Sequence, residues 1–331
     1  MIITLPKISI VTPSYNQGEY LEECIDSVLS QNYPNLEYIV MDGGSSDNSV
    51  EIIKKYEKYL SYWQSKKDDG QYAAIEDGFR RSTGEILAWL NSDDKYHHNA
   101  FYKVAYIFST FQHMEWIVGR PTFWDKNGNV SLVYSSLPTY GRGRFLLKDY
   151  NNPFIQQESS FWRRTLWEKA GGYLRRDLGY AGDLELWLRF FRFAELQTVD
   201  AILGGFRSHG NQKAALCMDK YMAEAEIILD EEITLFKGSI GIQCSELPCP
   251  PNPLPVLSGE VARYMAAAFT GYEMKLFKLT DESDKVTDCL LRQTDCLLRQ
   301  REAADAEVEA MRRSLSWRIT KPLRWLRGTI K

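Results

Sequence analysis

Over residues 8–111 the hydrophobic pattern switches repeatedly between two periods, and this limits the fold more than any other feature of the chain. Short apolar runs of strand length occupy residues 8–11, 36–41, 60–64 and 85–90. Residues 18–31, 48–59, 72–81 and 99–111 instead carry apolar side chains at helical spacing; in the first segment Leu21, Cys24, Ile25, Val28 and Leu29 share one face. Strands separated by helices predict an α/β class, built from βαβ units with right-handed crossovers. The expected architecture is a Rossmann-like, mixed, mostly parallel sheet flanked by helices. Such sheets bind ligands in the crevice at the carboxyl ends of their strands.

After residue 114 the rhythm changes. Strands are expected at 116–119, 130–134, 154–162 and 197–203, a turn at Asp125-Lys126-Asn127-Gly128 and a helix over 183–194. Residues 137–152, rich in Gly, Arg and Tyr, read as a long loop. The expected globular domain is 1–243, with halves 1–112 and 113–243. Residues 244–258 hold Pro248, Pro250, Pro251, Pro253 and Pro255, a semi-rigid linker. Residues 259–311 read as a C-terminal helical extension. Within it the segment Thr287–Gln293 recurs unchanged as 294–300, which keeps Leu290, Leu297, Ala304 and Met311 on one seam. The partner seam carries Leu279 and Val286 but then Gln293, Gln300 and Glu307. Residues 276–311 therefore form either a coiled coil that joins copies of the chain or one helix packed on its own domain.

The chain has 331 residues and is 44% hydrophobic and 25% charged, an ordinary globular composition. A net charge of -4 gives no general attraction to nucleic acid, and none is expected as a partner. Aromatic residues reach 13%, which serves either a large core or stacking surfaces for a base and sugars. None of the six cysteines lies in a CxxC or in zinc-ligand spacing, and Cys24 reads as a small core residue. Neither a signal-peptide pattern nor a run of about 18 apolar residues is present, so the expected location is cytoplasmic, with reduced thiols.

Three polar segments fall at expected strand ends. Thr12-Pro13-Ser14-Tyr15-Asn16 follows the first strand, where main-chain groups can bond a base and Tyr15 can stack on it; Pro and Asn also suit a plain turn. Asp42-Gly43-Gly44-Ser45-Ser46-Asp47 follows the second; its acid can accept from a ribose or a base N–H, and its glycines permit close approach, although the segment also suits a helix-capping turn. Asn91-Ser92-Asp93-Asp94 follows the fourth. Tandem acids there serve as a turn or cap, or else they need a partner such as a divalent cation on a diphosphate. There is no GxGxxG and no Walker lysine loop, which disfavours dinucleotide and P-loop phosphate binding.

Together with Ser27-Val28-Leu29-Ser30-Gln31, Asp69-Gly70-Gln71 and Gly84-Glu85-Ile86, these segments resemble the nucleotide-binding half of a family 2 glycosyltransferase of the GT-A fold. The resemblance covers residues 8–100 and continues more weakly to about 212. It implies that 1–112 binds a nucleoside-diphosphate sugar and that 113–243 recognises the acceptor. By matching position, Tyr15 and Asp42 would hold the nucleoside, with Thr12, Pro13, Ser14, Asn16, Gly43, Asp69 and Gly70 around it. Asp93 would lie near the ribose or sugar, and Asp94 would ligate Mn²⁺ or Mg²⁺ bridging the donor diphosphate, whose charge grows as the glycosidic bond breaks. The chain departs from the family pattern at Glu76, where an Asn is usual, and that puts a donor contact from this helix in doubt.

Inverting transfer also needs a general base for the acceptor hydroxyl. Asp183-Leu184-Glu185-Leu186-Trp187 resembles the family segment that carries it; Asp183 matches best and Glu185 is the substitute, while Asp at a helix start is also a common N-cap. Gln156-Gln157-Glu158 resembles an acceptor-side strand, with Gln157 and Glu158 as acceptor contacts, or reads as a polar edge strand. Arg207 could pair with a phosphate, and His209 could reach the diphosphate or the metal; a lone histidine is otherwise structural. His97-His98 reads as an exposed helix start, and His113 has no evident role.

Residues 312–331 carry Arg312, Arg313, Arg318, Lys321, Arg324, Arg327 and Lys331 with no acid, and Leu315, Ile319, Leu323 and Leu326 line one face near Trp317 and Trp325. This suits a peripheral contact with anionic lipid, or a helix docked on the protein. The leading reading is thus an inverting, metal-dependent transferase acting on a glycan, expected to be lipid-linked, in bacterial surface-polysaccharide or glycoconjugate assembly, with UDP ahead of GDP or dTDP. Two other classes compete: a non-catalytic membrane-associated scaffold with an idle sugar-nucleotide site, and a two-carboxylate glycoside hydrolase.

Overall fold

The computed structural model describes residues 5–146, 154–210 and 212–243. The Pro-rich linker, the repeated segment and the basic tail lie outside the described residues. The chain divides into two compact units, the first comprising 1–140 and 150–231 and the second 141–149 and 232–331.

The first unit begins with the expected alternation: β1 (Ile8–Ser14), α1 (Leu21–Leu29), β2 (Leu36–Asp42), α2 (Ser49–Tyr56), β3 (Tyr62–Ser65), α3 (Gln71–Arg81), β4 (Ile86–Trp89), β5 (Lys95–Tyr96) and α4 (Ala100–Thr110). There follow β6 (Trp116–Val118), β7 (Thr122–Trp124) and β8 (Val130–Val133). The second unit contains α5 (Arg142–Leu146), where Arg142 pairs with Glu232 at 2.7 Å. The first unit resumes with β9 (Ser160–Arg163), α6 (Arg164–Lys169), α7 (Gly182–Phe190), β10 (Gln197–Thr198), β11 (Gly204–Arg207) and α8 (Lys213–Leu216). Helix α9 (Met218–Gln243) is the last described element.

The main sheet has the order β10-β6-β9-β4-β1-β2-β3. β1 pairs in parallel with β2 and β4, β2 with β3, and β6 with β10, while β9 runs antiparallel to β4 and β6. A mixed, mostly parallel sheet flanked by helices is therefore present, as the periodicity implies. A second sheet has the order β5-β11-β7-β8. The register places Ser14 opposite Asp42, so the loops leaving β1 and β2 emerge side by side.

Two apolar layers hold the main sheet. On one side Leu21, Cys24, Ile25 and Val28 of α1 join Ile8, Ile10, Ile86 and Ala88 of the sheet and Phe101, Val104, Ala105 and Phe108 of α4. Burial pushes the Cys24 thiol far up, so it remains protonated and is the inert core residue expected. Elsewhere Trp89, Trp116, Trp162 and Trp187 are fully buried, with Trp89 and Trp187 stacked at 5.7 Å and Phe79 and Phe190 edge-on to Trp162. Much of the aromatic wealth is thus core. Each such pair adds about 0.5–1.5 kcal/mol beyond its buried area.

The second half departs from the sequence reading. Residues 142–146 form α5 inside the expected loop. The strand expected over 154–162 begins only at Ser160; Gln157–Ser159 is a buried 3₁₀ turn, so Gln157 and Glu158 do not sit on an edge strand. The segment 197–203 contributes just β10, and Arg207 belongs to β11 rather than following the last strand. Glycine accounts for this shift. A Cβ on Gly204 would stand 1.9 Å from the Glu158 carbonyl oxygen, so a side-chain-free strand is needed there, and glycine weakens the alternation that marks a strand. His97 is buried and hydrogen-bonds Thr122 Oγ1 at 2.8 Å, against the exposed helix start expected.

Candidate active site

The loops after β1 and β2 form one wall. Asp42 is buried, and its carboxylate accepts from Gly44 N at 3.1 Å, Ser45 N at 2.9 Å, Ser45 Oγ at 2.5 Å and Ser65 Oγ at 2.6 Å. The Asn16 main-chain N–H donates to Ser45 Oγ at 2.8 Å, and the Asn16 side-chain Oδ1 accepts from Ser46 N at 2.8 Å. The two loops are thereby tied, with Asn16 in the left-handed region at φ 52. Thr12, Pro13 and Ser14 are buried in β1, whereas the Tyr15 ring is 63% exposed and free to stack. Gly43 packs against Asp68, where a Cβ would meet Oδ2 at 2.9 Å. Asp69 and Gly70 lie on the exposed loop beyond, and Asp68 rather than Asp69 accepts from Gly70 N, at 2.9 Å.

The opposite wall is acidic. As the chain leaves β4 it turns through an Asp94 N–H donated to the Asn91 carbonyl at 3.0 Å. Asp94 is buried; its Oδ1 accepts the Arg207 main-chain N–H at 2.7 Å, and its Oδ2 accepts from Asn91 Nδ2 at 3.4 Å. Asp93 is half-buried, and its Oδ2 lies 3.1 Å from His209 Nε2. Gln157 donates to the Trp89 carbonyl at 2.7 Å, which fixes Glu158 on the neighbouring turn.

Glu158 links two pairs of carboxyl groups: it and Asp93 act on Asp94, and Asp93 and Asp183 act on it. Asp94 is raised well above the usual carboxylate range, first by burial and then by the charges of Glu158 and Asp93. Burial, followed by the charges of Asp93 and Asp183, pushes Glu158 up to about 8. Asp183 is raised to about 6 by burial, with a further contribution from Glu224. Glu158 Oε1, Asp183 Oδ1, Gln157 Oε1 and His209 Nδ1 are buried without a hydrogen-bond partner among the described residues. Four such atoms in one region leave polar capacity that a bound polar group or water could use.

Arg207 stands apart from its expected role. Its guanidinium is 1% exposed and donates to the Asp93 carbonyl at 2.6 Å and to Glu23 Oε2 at 2.6 Å, so it faces protein rather than an open phosphate position. The Tyr20 ring lies beneath it at 5.0 Å and against His209 at 4.5 Å. Glu185 is likewise committed, its two oxygens each accepting from Arg189 at 2.8 Å. That ion pair removes Glu185 from the carboxylate group, as expected for a residue two positions from Asp183 on a helix. Glu76, the departure from the family pattern, pairs with Arg80 and Arg176 and serves as a buried tie.

A chain of hydrogen bonds joins the acidic turn to the loop before α7. Asn91 Oδ1 accepts from Gln71 Nε2 at 2.8 Å, Lys213 Nζ donates to Gln71 Oε1 at 3.3 Å, and the same Nζ donates to the Gly179 carbonyl at 2.8 Å. Gly182 abuts α3, where a Cβ would meet the Tyr72 ring at 2.7 Å. Glu23, Tyr20 and Lys213 carry no sequence signal of their own; their importance arises from residues far away in the chain. Gln71 and Asn91 lie inside recognised segments, which could have pointed to them.

Among the described residues, no group of three or more His, Cys, Asp or Glu side chains is placed to hold a metal ion. Asp93, Asp94 and His209 bring two carboxyl groups and one imidazole to one turn, a donor chemistry that a divalent cation accepts when a ligand's oxygens supply its remaining positions.

The family model described as glycosyl transferase family 2 matches residues 9–171. An uncharacterized glycosyltransferase of Mycobacterium tuberculosis is 30% identical over 213 residues, 62% of this chain and 76% of the relative. One from Rickettsia prowazekii is 26% identical over 245 residues, 71% of this chain and 76% of the relative. Staphylococcus aureus TarS 1-349 in complex with UDP-GlcNAc superposes with a TM-score of 0.55 at 17% identity, over 84% of this chain and 77% of that one. A longer TarS structure gives 0.52, and this chain spans 46% of it. These likenesses show a shared GT-A fold. With its matched domain and its relatives, the chain belongs to glycosyl transferase family 2.

Proposed function

We propose that this glycosyltransferase moves a sugar from a nucleoside diphosphate, UDP before GDP or dTDP, to a glycan hydroxyl with inversion and with help from Mn²⁺ or Mg²⁺. The observation that carries the proposal is the gathering of acids where β4 ends: Arg207 N–H holds Asp94, His209 lies against Asp93, and Gln157 ties the turn bearing Glu158 to the Trp89 carbonyl, with the charge of Asp183 felt at Glu158. TarS, solved with UDP-GlcNAc and with UDP, supports UDP as the first nucleotide to test.

In this reading Tyr15 stacks on the base, and the wall built around Asp42 shapes the nucleoside position. Asp94, Asp93 and His209 would hold the cation. Bound there, it supplies positive charge for the departing diphosphate. Asp183 takes the acceptor proton; with its carboxyl near 6 it is ionised at neutral pH yet basic enough for the task. Gln157 and Glu158 contact the acceptor side. Arg207 fixes the two acids in place from beneath.

The proposal extends to setting. A lipid-linked glycan acceptor, in surface-polysaccharide or glycoconjugate assembly, would account for a basic amphipathic tail at 312–331 on an otherwise cytoplasmic protein, and 276–311 would join copies of the chain. Among the described residues no helix is long and apolar enough to cross a membrane. Deleting 312–331 should reduce recovery with anionic vesicles while sparing donor hydrolysis; undiminished recovery would defeat the anchor.

The direct test is thermal stability with UDP, GDP, dTDP and CMP, each with and without Mn²⁺. A ligand at about 100 times its Kd stabilises by roughly 2.7 kcal/mol. Stabilisation by one diphosphate that disappears on chelation is the expected result. No response to any of the four would point to the scaffold reading.

A further inference from the structure

Helix α9 reaches the loop ahead of α7 through one side chain. Glu224 Oε1 accepts the Gly179 N–H, and Oε2 accepts the N–H groups of Tyr180 and Ala181, each at 2.8 Å. Three consecutive main-chain donors therefore close on a single carboxylate. The carbonyls of the same loop are held from elsewhere: Tyr72 Oη donates to the Tyr180 carbonyl at 2.5 Å and Lys213 Nζ to the Gly179 carbonyl at 2.8 Å. The loop is thus gripped on both its donor and its acceptor sides.

Its C-terminal neighbour is Asp183. Helix α7 starts at Gly182 with Ala181 as N-cap and no side-chain cap of its own. Orphan N–H groups and the positive end of the helix dipole favour an anion there. Most helices meet that need with a local Ser, Thr, Asp or Asn. Here Glu224 on α9 takes the N-cap N–H of Ala181 and the two N–H groups that precede it, so the approach of the chain to the first turn of α7 is set by a residue more than 40 positions away. A shift of the loop would carry Asp183 with it, because Gly182 is already in contact with the Tyr72 ring and leaves the helix start little freedom.

We propose that Glu224 is a positioning residue for transfer, clamping residues 179–181 so that Asp183 faces the acceptor hydroxyl; this rests on the reading of Asp183 as general base. A second effect follows from charge. Asp183 is faced by Glu158, Tyr72 and Glu224, and the Glu224 charge is one of the causes that hold its carboxyl up. Removing that charge lowers the pH at which Asp183 ionises.

The test uses the full chain with UDP-N-acetylglucosamine as probe and UDP release as signal, in Glu224→Ala, Glu224→Gln, Asp183→Asn and the Glu224→Ala/Asp183→Asn pair. Glu224→Ala should lower kcat on the order of 10- to 100-fold, the scale of a misplaced catalytic group, with KM unchanged. Its remaining activity should show an acid limb moved to lower pH. Glu224→Gln keeps one acceptor oxygen and should recover part of the rate. In the Asp183→Asn background, Glu224→Ala should cost nothing more, since the two act as a unit. Amide hydrogen exchange at Gly179, Tyr180 and Ala181 gives a readout independent of turnover, with protection lost in Glu224→Ala. Parental kcat, parental protection or an equal further loss in the double variant would each overturn the clamp. Parental turnover in Asp183→Asn would instead remove the base assignment and the clamp with it.

Discussion

The main-chain N–H of Arg207 donates to Asp94 Oδ1 at 2.7 Å, from a strand 113 positions further along the chain. The same residue's Nε donates to the Asp93 carbonyl. One residue of β11 therefore fixes both acids of the tandem pair, and Glu23 of α1 neutralises it from below. Removing the side chain takes away its hydrogen bonds to the Asp93 carbonyl and to Glu23 and should loosen the turn, while Glu23, 41% exposed, keeps its pairing with Lys95. A hydrogen bond to a charged group contributes about 1.5–3 kcal/mol. Arg207→Ala should thus lower Tm by roughly 5 °C, given about 2–4 °C per kcal/mol for a domain of this size, and weaken Mn²⁺-dependent UDP binding. Calorimetry and a UDP titration check the two together; a parental Tm would show that the guanidinium is not structural.

Asp183→Asn keeps the shape of the side chain and removes its basicity. If Asp183 is the base proposed above, nucleotide binding should be unchanged, while transfer should fall by about 10²–10⁴-fold, the usual contribution of a positioned base. In the parent, a base near 6 must be ionised to act, so the rate should rise with pH through that value. A rate profile with no acid limb near there would assign the base elsewhere.

Glu158 makes a prediction about stability. Its carboxyl moves from 4.5 in the free state to about 8 in the fold, chiefly through burial. Between those values the native state holds a proton that the unfolded chain has released, so this group's contribution to stability falls as pH rises across the window. Glu158→Gln cannot ionise. Its melting temperature should therefore decline less than the parent's between about pH 5 and pH 8. Parallel pH–melting curves for the two proteins would show that Glu158 is not the group responsible.

The first half of the fold was legible because its signals are local. The strand ends at Ser14, Asp42 and Trp89 and the acids beside them follow from apolar runs bounded by polar turns, and burial enforces that pattern. The second half, after residue 114, was not. Its strands are short, its 3₁₀ turn carries Gln157 and Glu158 with no periodicity, and β11 opens with two glycines. Arg207 read as a phosphate ligand because an arginine near a donor site usually is one; its true partners, Glu23 and Asp93, are distant in sequence. Glu224 had no signal at all, being one acid among several on a long helix, and its meaning comes from three N–H groups that only the fold brings to it.

Gly204 tests how tightly the two sheets hold the acidic turn. Its Cα passes so close to the 3₁₀ segment that an added Cβ would lie 1.9 Å from the Glu158 carbonyl oxygen and 2.7 Å from its carbonyl carbon, with the Tyr96 ring at 3.2 Å. The obstructing atoms are backbone, which cannot rotate away as a side chain tip can. Either β11 or the turn must move, and both bear on the site: β11 carries Arg207, and the turn carries Glu158. Overpacking of this kind costs about 1–3 kcal/mol or more. Gly204→Ala should therefore lower Tm and reduce transfer together, although the methyl touches no ligand. Gly210→Ala is the control, since a Cβ there meets nothing within 4 Å. Equal melting temperatures for the two variants would mean that the strand and the turn can separate without consequence, and the shared support inferred for Asp94 and Glu158 would fail.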